Sequence, residues 1–324
     1  MLSISAYRDA FISHLNQTIV TKEPINLYQP IEYILNLGGK RLRPVLTLMT
    51  ADIFGNNHKE AMHAAMAIEI FHNFSLVHDD IMDDAPLRRG KETVHEKWDL
   101  NTGILSGDAM LIVAYRFFEN YDAKTFKSLA QLFSKTAIEV CEGQQYDVDF
   151  ETRDDVTIPE YIKMITYKTA VLVAAAMKMG AIIGKADEKE CQAIYDFGLN
   201  LGIAFQLKDD YLDAFGDPKT FGKQVGGDII ENKKTYLYLK TLENLSAEES
   251  EQLKHLFEIT PNDTFDKIES VKGLMHSSGG ADETLRAIEL YTEKALAILQ
   301  SLSINKEKKD ILENFANMLM GREV

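Results

Sequence analysis

The sequence predicts an all-α protein, on three observations. Apolar residues recur at three- and four-residue steps, no clear run alternates with period two, and only seven prolines interrupt 324 residues. The first pattern stacks apolar side chains on one helix face and the second removes the signature of a half-buried strand. The third leaves spans of roughly forty to seventy residues free of the strongest helix breaker.

Taken along the chain, Met1 to Ala10 contains Arg8 and Asp9 and lacks the apolar core of a signal peptide. Met62, Met66, Ile70 and Phe74 form a helical stripe leading into an acidic run. Thr157 with Glu160 has capping-box spacing, as does Ser246 with Glu249, and Asn305 precedes another amphipathic run. The most apolar segment, Ala170 to Gly184, is cut by Lys178 and is short for a bilayer, so no stable membrane insertion is expected. Ser277-Ser278-Gly279-Gly280 marks a turn before a helical stripe of Leu285, Ile288, Tyr291, Ala295, Ile298 and Leu302. No low-complexity linker divides the chain, so residues 1–324 read as a single domain.

With 45% hydrophobic and 26% charged residues the chain has an ordinary globular composition. Thirty-five Lys and Arg against 50 Asp and Glu leave a formal charge of −15, which repels polyanions and argues against nucleic acid as a partner. Cys141 and Cys191 lack CxxC spacing, so neither a disulfide framework nor a structural zinc site is indicated. A soluble protein of the reducing cytoplasm is the expectation.

Two acidic clusters carry the chemistry: Asp79-Asp80-Ile81-Met82-Asp83 and Asp209-Asp210-Tyr211-Leu212-Asp213. Residues four apart share a helix face, so Asp79 with Asp83 and Asp209 with Asp213 each form a carboxylate pair. A hard divalent cation removes their mutual repulsion, and magnesium combines carboxylate oxygens with phosphate oxygens and water. The apolar Leu76, Val77, Phe205 and Leu207 just before them place both pairs at the ends of buried helices. Each cluster is followed by a proline, a glycine and basic residues: Pro86-Leu87-Arg88-Arg89-Gly90-Lys91 and Pro218-Lys219-Thr220-Phe221-Gly222-Lys223. That echo suggests two similar half-sites.

Cations are concentrated in Gly38-Gly39-Lys40-Arg41-Leu42-Arg43-Pro44, Arg88-Arg89-Gly90-Lys91, Lys223 and Lys233-Lys234. In an acidic protein they point to a small anionic ligand: arginine grips phosphate with two prongs, and neighbouring glycines let the backbone approach. GxGxxG and Walker loops are absent, so ordinary nucleotide cradles are not supported. His72 precedes Asp79 by almost two helical turns and shares its face, while Gln206 precedes Asp209 by three residues.

Together these segments resemble the trans-isoprenyl diphosphate synthases, the polyprenyl synthetase family. The resemblance rests on GGKRLRP (38–44), HNFSLVHDDIMD (72–83), RRGKETVH (88–95), SGDAML (106–111), EGQQYD (142–147), YKTA (167–170), QLKDDYLD (206–213), FGKQVGGD (221–228) and NKKTY (232–236). It implies an isoprenoid synthase fold, a helical bundle around a central cavity, usually in a homodimer. It also implies condensation of isopentenyl diphosphate with an allylic diphosphate (dimethylallyl, geranyl or farnesyl), through ionisation, condensation and elimination. Carried over by position, Asp79, Asp83, Asp209 and Asp213 would hold up to three magnesium ions. Arg88, Lys168, Lys223 and Lys233 would clamp the allylic diphosphate, and Lys40, Arg43, His72 and Arg89 would bind that of isopentenyl diphosphate. Lys168, Thr169 and Gln206 would steady the allylic cation.

In that family Ile68, Phe71 and Phe74 line the tunnel for the growing chain, with Phe74 as its floor. The small Ser75 beside it, and the lack of a two-residue insertion in the first acidic motif, resemble synthases making the C20 product, with C15 the close rival. Two departures are that Glu92 replaces a common proline and that the chain ends Gly321-Arg322-Glu323-Val324, without the basic tail that closes some members' sites. A class I terpene cyclase would carry an Asn/Ser/Glu motif instead of the second cluster and would have little use for Lys40, Arg43 and Arg89. A non-catalytic partner subunit would have damaged aspartate clusters.

Overall fold

A computed structural model describes residues 1–55, 57–217 and 225–321, and among them the chain is almost entirely helical. Its contacts fall into two compact units, Met1–Ala137 with Leu172–Tyr195, and Ile138–Val171 with the chain from Asp196 onward.

The first unit holds helices α1 (Ile4–Thr18), α2 (Ile25–Asn36), α3 (Leu42–Gly55), α4 (Met62–Met82), α5 (Val94–Lys97) and α6 (Leu100–Phe117). Parts of the longer α7 (Ala123–Glu151), α9 (Val171–Ile183) and α10 (Glu188–Phe215) complete it. The predicted stripe of Met62, Met66, Ile70 and Phe74 is realised on α4, which packs against α1, α2, α3 and α6. Between α4 and α5 two short strands, β1 (Leu87–Arg88) and β2 (Lys91–Glu92), pair antiparallel. Their two-residue loop, Arg89-Gly90, has φ of 54° and 73°, the left-handed pair that suits strand twist in a tight hairpin.

The second unit holds α8 (Ile158–Ile165), a π-helical turn (Thr166–Ala170), α11 (Gly227–Ile230), α12 (Tyr236–Asn244), α13 (Ala247–Leu256), α14 (Phe265–Ser277), α15 (Gly280–Ser301) and α16 (Lys306–Met320), with the remainder of α7 and α10. Its core joins Phe150, Met164, Leu207, Leu237, Val271 and Ile288. The start signals read from sequence are present: Thr157–Glu160 and Ser246–Glu249 form reciprocal capping boxes, and the Asn305 side chain accepts from Lys308 N–H. The glycine turn is present too, with Gly279 at φ +78° opening α15. On α15, Ile288 and Ala295 are buried, whereas Leu285 faces solvent.

The Ala170–Gly184 segment is part of a longer continuous helix than its own length implied. Ile158–Ile183 spans 26 residues, long and apolar enough to cross a membrane by composition, with 61% of its apolar window buried inside the protein. Close packing explains its small residues. A Cβ on Gly180 would fall 2.3 Å from the Thr47 carbonyl oxygen on α3, so α9 and α3 approach backbone to backbone there.

Candidate active site

The first acidic pair closes α4. Asp83 is its C-cap, and its N–H donates to the Asp79 carbonyl. A helix C-terminus carries partial negative charge, so two carboxylates placed there need a cation nearby. Asp79 is half-buried and Asp83 exposed, whereas Asp80 between them is 1% exposed. Asp80 is committed to Arg88, whose Nε donates to both carboxylate oxygens at 2.8 Å and whose Nη2 lies 2.6 Å from Oδ1. The same Nη2 lies 3.7 Å from Asp79 Oδ2. Burial pushes the Asp80 carboxyl up against the opposing pull of Arg88. Burial also opposes charge on Arg88, but the bonds to Asp80 together with the charges of Asp80, Asp79 and Asp83 outweigh it, so its pKa is raised.

The glycine loop before α3 meets the hairpin. Arg89 Nη1 donates to the Gly38 carbonyl, and its guanidinium lies where a Cβ on Gly39 would be, 2.8 Å away. A Cβ there would push the guanidinium aside, and Gly39 also holds φ at +116°, where other residues are strained. Lys40 is exposed beside it. Arg43 Nη1 lies 3.2 Å from His72 Nε2. Burial holds His72 well below its usual pKa, reinforced by Arg43, Arg89, Arg88 and Arg41. Arg43 and Arg89 thus lie close to His72, which burial and their charge keep neutral. Arg41 is different: it is buried, paired with Glu69 and donating to the Leu35 carbonyl, which makes it part of the scaffold.

The three α4 residues assigned to the tunnel differ in burial. Ile68 is 0% and Phe71 1% exposed, while Phe74 retains 8%. Phe71 stacks edge-on against Phe133 with centroids 5.1 Å apart, and Phe74 contacts both Phe71 and His78. Ser75 Oγ donates to the His72 carbonyl at 2.8 Å.

In the second unit, the last turns of α10 carry Gln206, Asp209, Asp210 and Asp213. Asp209 and Asp213 are half-buried and Asp210 is buried. Asp210 is again the committed member, accepting from the Tyr161 hydroxyl and, at 2.9 Å, from Gln206 Nε2. Burial raises it to about 7, helped by Asp209 and Asp213 and opposed by those two bonds. Asp213 Oδ2 accepts from Asp228 N–H at 2.9 Å, and the Asp213 carbonyl accepts from Gly226 N–H at 2.6 Å. Asp228 is itself raised well above the usual range by burial, then by Asp213 and Asp210. In each unit the second aspartate is buried against protein side chains, whereas the first and last keep solvent access even where they also meet Arg88 or the Asp228 N–H, and carboxylates so placed are hard oxygen donors of the kind magnesium takes.

Lys168 and Thr169 lie on the π-helical turn. Such turns carry one extra residue and recur at functional sites. Gly143 of α7 and Gly202 of α10 make room for it: a Cβ on either would fall 2.2 Å from Lys168 N or 2.7 Å from Ala170 Cα. Lys168 Nζ pairs with Asp147 at 2.6 Å, and Thr169 Oγ1 donates to Gln206 Oε1 at 3.0 Å. Lys233 pairs with Glu231 at 2.7 Å, while Lys234 is turned to Asp154 and the Arg153 carbonyl. Lys223, with the whole second proline-glycine-basic turn at 218–224, lies outside the described residues.

Sequence reasoning missed Tyr161, Asp147 and Asp228. The last two stand inside EGQQYD and FGKQVGGD, where a search for carboxylates would have found them; Tyr161 reads as one more apolar-face residue. A further group, Asp84, His95 and Glu96, brings its ligand atoms within 4.8 Å of one another. Its mixed imidazole and carboxylate chemistry sets it apart from the aspartate pairs.

A family model for polyprenyl synthetase matches residues 24–275. The crystal structure of a geranylgeranyl pyrophosphate synthase is 58% identical, matches over 100% of both chains and superposes with a TM-score of 0.96. A short chain isoprenyl diphosphate synthase of Methanothermobacter thermautotrophicus is 36% identical over 95% of this chain and 91% of its own. A geranylgeranyl diphosphate synthase of Methanosarcina mazei is 40% identical over 74% of each. The helical architecture described above is the isoprenoid synthase fold, and the chain belongs to the polyprenyl synthetase family.

Proposed function

We propose that this protein is a head-to-tail prenyltransferase that condenses isopentenyl diphosphate with an allylic diphosphate and makes the C20 product, geranylgeranyl diphosphate. One observation supports it above the others. Two aspartate pairs of the same build, each with its middle carboxylate tied down, occur in a chain that also gathers the guanidiniums of Arg43 and Arg89 around a neutral His72. A terpene cyclase has no second diphosphate to give that cluster. The similarity to geranylgeranyl synthases supports the C20 length.

In this reading Asp79, Asp83, Asp209 and Asp213 hold up to three magnesium ions, whose charge, when bound, stabilises the departing diphosphate. Arg88, Lys168 and Lys233, with Lys223, grip the allylic diphosphate as its carbon–oxygen bond ionises. Lys40, Arg43, His72 and Arg89 hold isopentenyl diphosphate with its double bond toward the allylic C1. The double bond supplies the electron pair for the new carbon–carbon bond, and a proton passes from the adjacent carbon to the released diphosphate. Lys168, Thr169 and Gln206 steady the cation, and Phe74, flanked by Phe71 and Ser75, limits the chain. We take residues 1–324 to act as one catalytic domain, in a cytoplasmic homodimer.

The test is to incubate purified protein with isopentenyl diphosphate, magnesium and each allylic starter, and to identify products by mass spectrometry. A dominant C20 product is expected. Termination at C15 overturns the length assignment, and no condensation with any starter overturns the activity.

A further inference from the structure

Tyr161 is 3% exposed, and its ring belongs to the apolar core of the second unit. Its hydroxyl nevertheless ends a continuous chain of hydrogen bonds. Tyr161 donates to Asp210 Oδ2, Gln206 Nε2 donates to Asp210 Oδ1 at 2.9 Å, and Thr169 Oγ1 donates to Gln206 Oε1 at 3.0 Å. Those four side chains come from α8, the π-helical turn and α10.

The direction of every proton in this chain follows from one fact. An amide nitrogen only donates and an amide oxygen only accepts, so with Gln206 Nε2 on Asp210 Oδ1 and its Oε1 on Thr169, the Thr169 hydroxyl must be the donor, while the Tyr161 hydroxyl holds the other Asp210 oxygen. The Gln206 amide is then fixed with its oxygen toward Thr169. The Thr169 proton is spent on that oxygen, and what the hydroxyl has left is a lone pair.

We propose that Tyr161 is a positioning residue for the condensation: by anchoring Asp210 it sets the proton order of the chain, so that Thr169 offers the allylic cation an oxygen lone pair rather than an O–H. The inference rests on Thr169 and Gln206 being the dipoles that face the cation. Without the Tyr161 hydroxyl, Asp210 loses one of its two anchors and Gln206 is released to turn its amide over. Thr169 then has no fixed acceptor, and its proton is free to point at the cation. A poorly steadied cation is captured by water as well as by the double bond. In that side reaction water adds its oxygen to C1 and loses a proton to the released diphosphate, giving the allylic alcohol.

Tyr161→Phe tests this with farnesyl diphosphate, isopentenyl diphosphate and saturating magnesium in isotopically labelled water. Labelled oxygen at C1 identifies capture of the cation. We expect kcat to fall roughly 30-fold, somewhat less than removal of a direct donor. KM for isopentenyl diphosphate should stay within about twofold, and the ratio of alcohol to elongated product should rise about tenfold, since only the dipole order is disturbed. A 3-fluorotyrosine at 161, which keeps the donor, should restore the wild-type ratio. Thr169→Val, run in parallel, should raise the ratio directly. If Thr169→Val raises it and Tyr161→Phe does not, Tyr161 is a packing residue and the inference fails while the function stands. If neither variant moves the ratio, the cation-facing role of Thr169 fails and takes the inference with it. Should Tyr161→Phe melt below assay temperature, Asp210→Asn breaks the same proton order from the acceptor side, and an unchanged ratio there overturns the inference equally.

Discussion

Arg88 lies against Asp80 with its Nε 2.8 Å from both carboxylate oxygens, although Asp80 stands inside the sequence pattern that suggests metal binding. The buried carboxylate orients the guanidinium, and the hairpin turn at Arg89-Gly90 brings it within reach. Asp210 is held in the corresponding way by Tyr161 and Gln206. The aspartates of one cluster therefore differ in burial and in their protein partners, and the roles proposed for them can be tested.

Asp79→Ala or Asp209→Ala is expected to cost turnover at least about a thousandfold, because the leaving group loses its charge stabilisation. Helical circular dichroism should be retained. Activity within tenfold of wild type in either variant removes that residue from the magnesium set.

Arg88→Lys keeps the charge but not the planar fork. We expect KM for the allylic diphosphate to rise about tenfold, with KM for isopentenyl diphosphate little changed. Equal rises in both constants would assign Arg88 to neither diphosphate in particular.

Phe74 and Phe71 should separate length control from stability. Phe74→Ala is expected to lengthen the products seen by mass spectrometry. Phe71→Ala, which empties a fully buried site against Phe133, should cost about 3–5 kcal/mol in denaturant unfolding with little change in length. Lengthening by Phe71→Ala alone would move the floor one turn down the helix.

Asp210 makes the stability of the metal-free protein depend on pH. Its carboxyl titrates at about 7 when folded, chiefly through burial, against about 3.9 when unfolded. A folded value above the unfolded one means that the stabilisation is fully present below about pH 4 and is lost as pH rises through 7. Without magnesium, the Tm of the wild type should fall between pH 5 and 8 more steeply than that of Asp210→Asn. Parallel slopes would refute it.

Gly143→Ala should disturb the π-helical turn, since the added Cβ would fall 2.2 Å from Lys168 N. Overpacking of this kind costs about 1–3 kcal/mol. We expect a kcat reduced more than tenfold as Lys168 and Thr169 shift. Wild-type kinetics at the assay temperature would show that the turn tolerates the displacement.

The helices, their caps and both acidic pairs were legible in the sequence because each depends on residues three or four apart. Thr157, Ser246 and Asn305 cap by local bonds, and Asp79–Asp83 and Asp209–Asp213 share a face by helical geometry alone. The basic residues were visible as composition, and the family pattern sorted them into two diphosphate sets.

What the tertiary structure decided is which members of those clusters are already engaged. Asp210 meets Tyr161 across 49 residues of chain, and Arg41 meets Glu69 across 28, distances at which no periodicity operates. The π-helical turn at Lys168 likewise packs against Gly143 and Gly202, residues 25 and more positions away in the chain. Local spacing determined which side chains can act together, whereas burial, a property of the packed chain, decided that Asp80 and Asp210 are enclosed by protein groups while Asp79, Asp83, Asp209 and Asp213 keep solvent access.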